Sequence, residues 1–113
     1  MKLVEEMAGD ITVFEAHGRV DNTTAKEFGD QLMALIQAGR RRIVVDFKNI
    51  AYISSAGLRA LVFADRATEQ RQGKLALCGV TGDVMRLFEI GAFLDLFLIC
   101  PTQQEAIGKL RQA

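Results

Sequence analysis

The sequence predicts an α/β protein with a small mixed β-sheet, its elements ordered β-β-α-β-α-β-α-β-α. Three observations carry that expectation: short apolar runs of strand length, stretches of helical spacing between them, and glycines that punctuate the joins. Lys2 to Met7 reads as an edge strand, and Ala8-Gly9-Asp10 as a turn into a second strand, Ile11 to Ala16. Gly18-Arg19-Val20-Asp21-Asn22 leads to a helix whose apolar positions are Ala25, Phe28, Leu32, Leu35 and Ile36, with Gly39 as its stop. Ile43 to Phe47 is nearly continuous in apolar residues, as a central strand covered on both faces requires. A second helix spans about Ser55 to Arg71. Leu75 to Cys78 reads as a strand, Val84 to Ile90 as a short helix closed by Gly91, and Phe97 to Cys100 as the last strand. After Pro101, Thr102 and Glu105 have capping-box spacing for a terminal helix.

Composition narrows the function. A chain of 113 residues supports one domain, taken here as residues 1–113. Fourteen basic residues balance fourteen acidic ones, so no overall field draws the chain onto nucleic acid or an anionic membrane. There is no apolar signal segment and no run near ~18 apolar residues, so membrane insertion is not expected. Cys78 and Cys100 form no CxxC and have one histidine for company, which offers no metal site. Each ends an apolar run and reads as a buried structural thiol. A reduced, cytoplasmic protein without a cofactor fits this pattern.

Parallel strands joined by helices gather their outgoing segments at one edge of the sheet, where such folds keep their sites. Asp21 follows the second strand, and Ser54-Ser55 follow the third after a short loop, so the two segments are expected to meet there. Ser54 and Ser55 open a strong helical pattern and suit capping, because a hydroxyl accepts a bond from an orphan backbone N–H. The same position tolerates a phosphate, since the helix start presents N–H groups and the positive end of the dipole. On a helical wheel of about 100° per residue, Ala56, Ala60, Leu61, Ala64 and Ala67 are assigned to the core. Ser55, Arg59, Asp65, Arg66 and Glu69 fall opposite, with Leu58 and Val62 among them. Two apolar residues beside a candidate phosphosite and two arginines predict an exposed docking strip. Gly57, in the first turn, is expected to face the core, where a glycine in a helix marks either close packing of a backbone or partner or simple tolerance near a helix end.

Four segments, in order, resemble the STAS domains of anti-sigma factor antagonists. Gly18-Arg19-Val20-Asp21 is similar to that family's G-x-L-D segment, and Ile43 to Phe47 to its hydrophobic strand ending in aspartate. Tyr52-Ile53-Ser54-Ser55-Ala56-Gly57-Leu58 resembles its D-S-x-G-L signature, and Met85 to Gly91 its R-L-F-x-x-x-G element. The resemblance implies phosphorylation at Ser55, two residues before the glycine. It departs at Ser54, which stands where the family has aspartate, and at Ala56, which replaces a second serine or threonine.

The resemblance further implies partner switching. The unphosphorylated domain would bind an anti-sigma factor of the histidine-kinase-like ATPase fold and free its target. The same partner, acting as a serine kinase with ATP and magnesium, would phosphorylate Ser55 and release the domain. A PP2C-type phosphatase would restore the serine. Asp21, Ser54, Ser55, Gly57, Leu58, Arg59, Val62 and Arg66 are the expected partner-binding residues. An alternative within the family is a subunit of a stressosome-like scaffold or a lipid-transport complex. Catalysis is not expected: Ile53 breaks the G-x-S-x-G elbow, and His17 alone supports no Ser-His-Asp set. Asp21, Asp46 and Asp65 lack ligand spacing and read as ordinary surface or loop aspartates.

Overall fold

The apolar runs become the strands of one mixed sheet in a computed structural model, which describes residues 1–112. Strand β1 (Lys2–Ala8) pairs antiparallel with β2 (Ile11–Val20) across a turn at Gly9, whose φ is +66°. The rest is parallel: β2 with β3 (Arg42–Asp46), β3 with β5 (Lys74–Cys78), and β5 with β6 (Leu98–Cys100).

One strand escaped the sequence reading. Ile50–Ile53 forms β4, a fourth strand reached from β3 with no helix between them. β3 pairs with Thr12 to Glu15 and β4 with Gly18 to Val20, so the two lie in succession along β2. A register shift at Gly18/Arg19 accommodates the step. Four residues give almost no periodic signal, and here Ile50 and Ile53 are the buried pair rather than alternate positions.

Helices α1 (Ala25–Gln37), α2 (Ser55–Gln70) and α3 (Gly82–Ile90) share one core with one face of the sheet. All five apolar positions expected of α1 are buried. Phe88 of α3 lies against Phe47 and Phe97, with ring centroids 5.8 and 5.9 Å apart. Helix α4 (Gln103–Arg111) covers the other face, where Ala106 and Leu110 join Ile11, Val13, Val44 and Ala76. The Thr102 hydroxyl accepts from the Glu105 N–H at 3.2 Å, the expected cap.

Cys78 and Cys100 are register neighbours, buried and free. Burial, then the Asp46 carboxylate, pushes the Cys78 thiol up to about 12, so it stays protonated and inert. Asp46 is not the surface aspartate anticipated. It is buried, accepting from the Lys48 N–H and the Gln103 side-chain amide, both at 2.9 Å.

The wheel for α2 also needs correction. Its buried residues are Gly57, Leu58, Leu61, Ala64, Asp65 and Thr68, while Ala56, Ala60 and Ala67 are half-buried. The true core direction is rotated by about a quarter turn from the alanine-rich face. Leucine removes far more apolar area from water than alanine, so Leu58 and Leu61 set the face. Asp65, expected on the surface, is carried inward with them, and its Oδ1 has no hydrogen-bond partner.

Desolvation, reinforced by Glu69, raises the Asp65 carboxyl to about 6, against the opposing charges of Lys74 and Arg66. A folded-state value above the unfolded one of ~3.9 favours the protonated fold. That stability is fully present below the unfolded value and is lost as pH rises through about 6. Asp65→Asn should therefore be more stable than the parent at pH 7.5, by about 1 kcal/mol once solvent screening is allowed for. The difference should vanish towards pH 4. Urea unfolding at several pH values checks this, and a gain independent of pH would contradict the assignment.

Candidate functional site

The site is built where β2 and β4 end together. Val20 and Ile53 are register partners, and the Ser54 N–H donates to the Val20 carbonyl at 2.7 Å. Asp21 and Ser54 leave from that last pair, so the two segments meet at the carboxyl edge as expected.

Ser54 and Ser55 divide the work. Ser54 is the N-cap, with extended backbone (φ −83°, ψ 172°), and its hydroxyl accepts from the Gly57 N–H at 3.2 Å. Only 6% of its surface remains exposed. Ser55 is the first residue of α2 and is exposed. A modifying enzyme can therefore reach Ser55, whereas Ser54 is engaged beneath it.

Gly57 faces the core, as anticipated. A Cβ there would lie 2.7 Å from Ile53 Cγ1 and 2.8 Å from Val20 Cγ1. A bare Cα lets the first turn of α2 press directly onto the β2–β4 pair. That contact explains why the helix carries a residue about 1 kcal/mol worse than alanine in such a position.

Asp21 is held by its own loop. Its Oδ1 accepts from the Thr23 N–H (2.9 Å), the Thr23 hydroxyl (2.7 Å) and the Thr24 N–H (3.1 Å). The Thr23 bonds lead in lowering its pKa, so the carboxylate stays ionised at the mouth of the site.

The exposed stripe of α2 differs from expectation in one member. Ser55, Arg59, Val62 and Arg66 lie along it, with Val62 half-buried. Leu58 does not belong there: only 7% of it is exposed, and it packs into the core. Instead, Phe93 and Leu96 stand beside the stripe and supply apolar surface. With Leu58 and Val62 they form the wall of a cleft of about 350 Å³ whose rim carries Ser55, Arg59 and Arg66. These two residues follow Gly91 in an irregular stretch around a 3-10 turn, Leu94–Leu96. An apolar cluster directly after a helix stop was the available signal.

The alanine face of α2 forms a second cleft, of about 400 Å³, against α1. Ala56 and Ala60 line it, Gly29 of α1 lies opposite, and Phe63, 60% exposed, forms one wall. A lone aromatic on an otherwise alanine face was a signal that the sequence reading passed over. Arg59 borders both clefts. Among the described residues no group of three or more metal-ligating side chains occurs, and no helix is long and apolar enough to cross a membrane.

Comparison with known proteins decides the family. The STAS-domain pattern matches residues 3–106. The chain belongs to the STAS-domain family. A Bordetella bronchiseptica protein, provisionally described as the anti-sigma factor antagonist BtrV, is 32% identical over 113 residues, covering 100% of this chain and 97% of its own. The anti-sigma-B factor antagonist of Staphylococcus aureus is 35% identical over 79 residues, covering 70% of this chain and 73% of its own.

Solved structures match this STAS domain in fold. A Thermotoga maritima protein, provisionally described as an anti-sigma factor antagonist, has a TM-score of 0.91 at 17% identity, covering 96% of this chain and 94% of that one. Bacillus SpoIIAA in its phosphorylated form has a TM-score of 0.73 at 18% identity, covering 96% and 98%.

Two substitutions in the STAS domain distinguish core from surface on α2. Leu58→Ala should cost about 2–5 kcal/mol of stability, as buried leucine truncations do. Phe63→Ala, at an exposed position, should stay within about 0.5 kcal/mol of the parent. Thermal and urea melts of the pair check the assignment. The reverse order would restore Leu58 to the surface strip.

Proposed function

We propose that this STAS domain is an anti-sigma factor antagonist, a binding protein and not an enzyme, switched by phosphorylation of Ser55. The observation that carries the reading is the division between the two serines. Ser54 is buried as the cap of α2, while Ser55 is exposed at the sheet edge from which the segment of the ionised Asp21 also leaves, and is in register with the family's phosphoserine. The Bordetella and Staphylococcus relatives, described as anti-sigma factor antagonists, support the same class.

In this reading the unphosphorylated edge docks on an anti-sigma factor of the histidine-kinase-like ATPase fold. Asp21, Ser55, Arg59, Val62 and Arg66 make the contact. Ser54 and Gly57 shape it from below, and Leu58 supports it from the core. The partner then acts as a serine kinase. The Ser55 oxygen attacks the γ-phosphorus of magnesium-bound ATP, the bond to the β–γ bridging oxygen breaks, and ADP leaves. The hydroxyl proton passes to a base on the kinase. A PP2C-type phosphatase hydrolyses the ester and returns the serine. The two free thiols support a reducing, cytoplasmic setting.

Phosphate adds about −1.5 to −2 charges at the centre of the contact. A hundredfold loss of affinity requires about 2.7 kcal/mol, well within the cost of a desolvated, unpaired charge. With the anti-sigma kinase and ATP–magnesium, mass spectrometry should find one phosphate, on Ser55, and none on Ser55→Ala. Ser55→Asp should bind that kinase roughly a hundredfold more weakly than the parent. Phosphate mainly on Ser54, or equal binding by both proteins, would overturn the reading.

A further inference from the structure

Arg59 stands in an unusual place. It follows Ser55 by four residues on the exposed stripe of α2, so the two side chains are neighbours along the helix surface. Both border the cleft walled by Val62, Phe93 and Leu96. Arg59 also borders the second cleft, between α1 and α2. Its guanidinium forms no salt bridge with a carboxylate among the described residues, unlike Arg40, Arg42 and Arg86, which pair with Glu5, Asp10 and Asp83.

We infer that Arg59 is the receptor, within this chain, for a phosphate on Ser55. The inference rests on the phosphorylation proposed above and adds how the modified state is held. An anion four residues before a cation is the favourable order for such a helical pair, and a phosphate on the first residue of α2 lies at the end of the helix dipole that suits it. A phosphate offers three acceptor oxygens, and the planar guanidinium can donate two parallel N–H bonds to them. The neighbouring position 54 carries a hydroxyl and not a carboxylate, so no acidic side chain from that residue competes for Arg59.

The other cations of the site are placed differently. Arg66 lies eleven residues after Ser55, about 16 Å along the helix axis at 1.5 Å per residue, beyond the reach of the phosphate. Arg19 is stacked over the Tyr52 ring, 4.4 Å from its centroid. Pairing with phosphate draws Arg59 towards Ser55 and away from the common border of the two clefts. Phosphorylation then alters the docking surface twice: it adds an anion, and it withdraws the cation that an acidic partner side chain would otherwise meet.

Phosphoserine placed at position 55 during translation tests this on the whole chain without any kinase. The phosphorus-31 resonance, followed against pH, reports the second phosphate ionisation, ordinarily near pH ~6. Arg59→Ala should raise that pKa by about 0.2–0.4 of a unit relative to the parent. Arg59→Lys should recover part of the difference, and Arg66→Ala should titrate like the parent. Circular dichroism confirms that all four proteins are folded. Parent and Arg59→Ala titrating together would overturn the inference, as would an equal shift in Arg66→Ala. Because translation sets the phosphate's position, a kinase that modified another residue would refute the proposed function while leaving this titration intact.

Discussion

The pairing of Val20 with Ile53 is the contact on which the site depends. It aligns the ends of two strands that are more than thirty residues apart in the chain, and the Ser54 N–H extends it by one bond to the Val20 carbonyl. Gly57 then rests on the same two side chains, with no room for a Cβ. Strand pairing, cap and helix packing therefore converge on four residues, Val20, Ile53, Ser54 and Gly57. Moving any of them would displace the first turn of α2, and with it the hydroxyl of Ser55 relative to the carboxylate of Asp21.

Ser54 shows why a departure from the family signature can be structurally mild. An N-cap must offer an oxygen to an orphan N–H, and both serine and aspartate do so. The hydroxyl meets the Gly57 N–H at 3.2 Å and is almost fully buried. A neutral cap suits that burial, because it avoids the desolvation of a carboxylate. It also leaves Asp21 as the acidic side chain of the two meeting segments, and that carboxylate is kept ionised by its own threonine loop.

Much of the architecture was legible in the sequence because burial area and period agreed. In α1, the bulky positions Phe28, Leu32, Leu35 and Ile36 fall at helical spacing, and all are buried. The apolar run Ile43 to Phe47 is covered on both faces, by α4 on one and by α1 to α3 on the other. The meeting of Asp21 with the serines was legible too, from segments that leave the carboxyl ends of parallel strands, although the serines were expected after a loop from β3 and follow β4 instead. β4 was not, since four residues without alternation carry no period and their pairing with β2 is set by a contact distant in sequence.

The misreading of α2 has a physical origin that bears on how the surface works. Alanines every three to four residues look like a core stripe, but a methyl group gains little from burial and tolerates partial exposure. Alanine instead permits close approach: a Cβ on Gly29 of α1 would lie 3.0 Å from Ala60 Cβ. Leucine, with more area to hide, turned the helix so that Leu58 and Leu61 went inward. That rotation gave α2 three faces rather than two. One is core, one is a small-residue groove against α1 that leaves Phe63 exposed, and one is the stripe of Ser55, Arg59, Val62 and Arg66. Arg59 occupies the ridge between the last two. A charge change at Ser55, one turn away on that ridge, therefore acts on both exposed faces without disturbing the core beneath them.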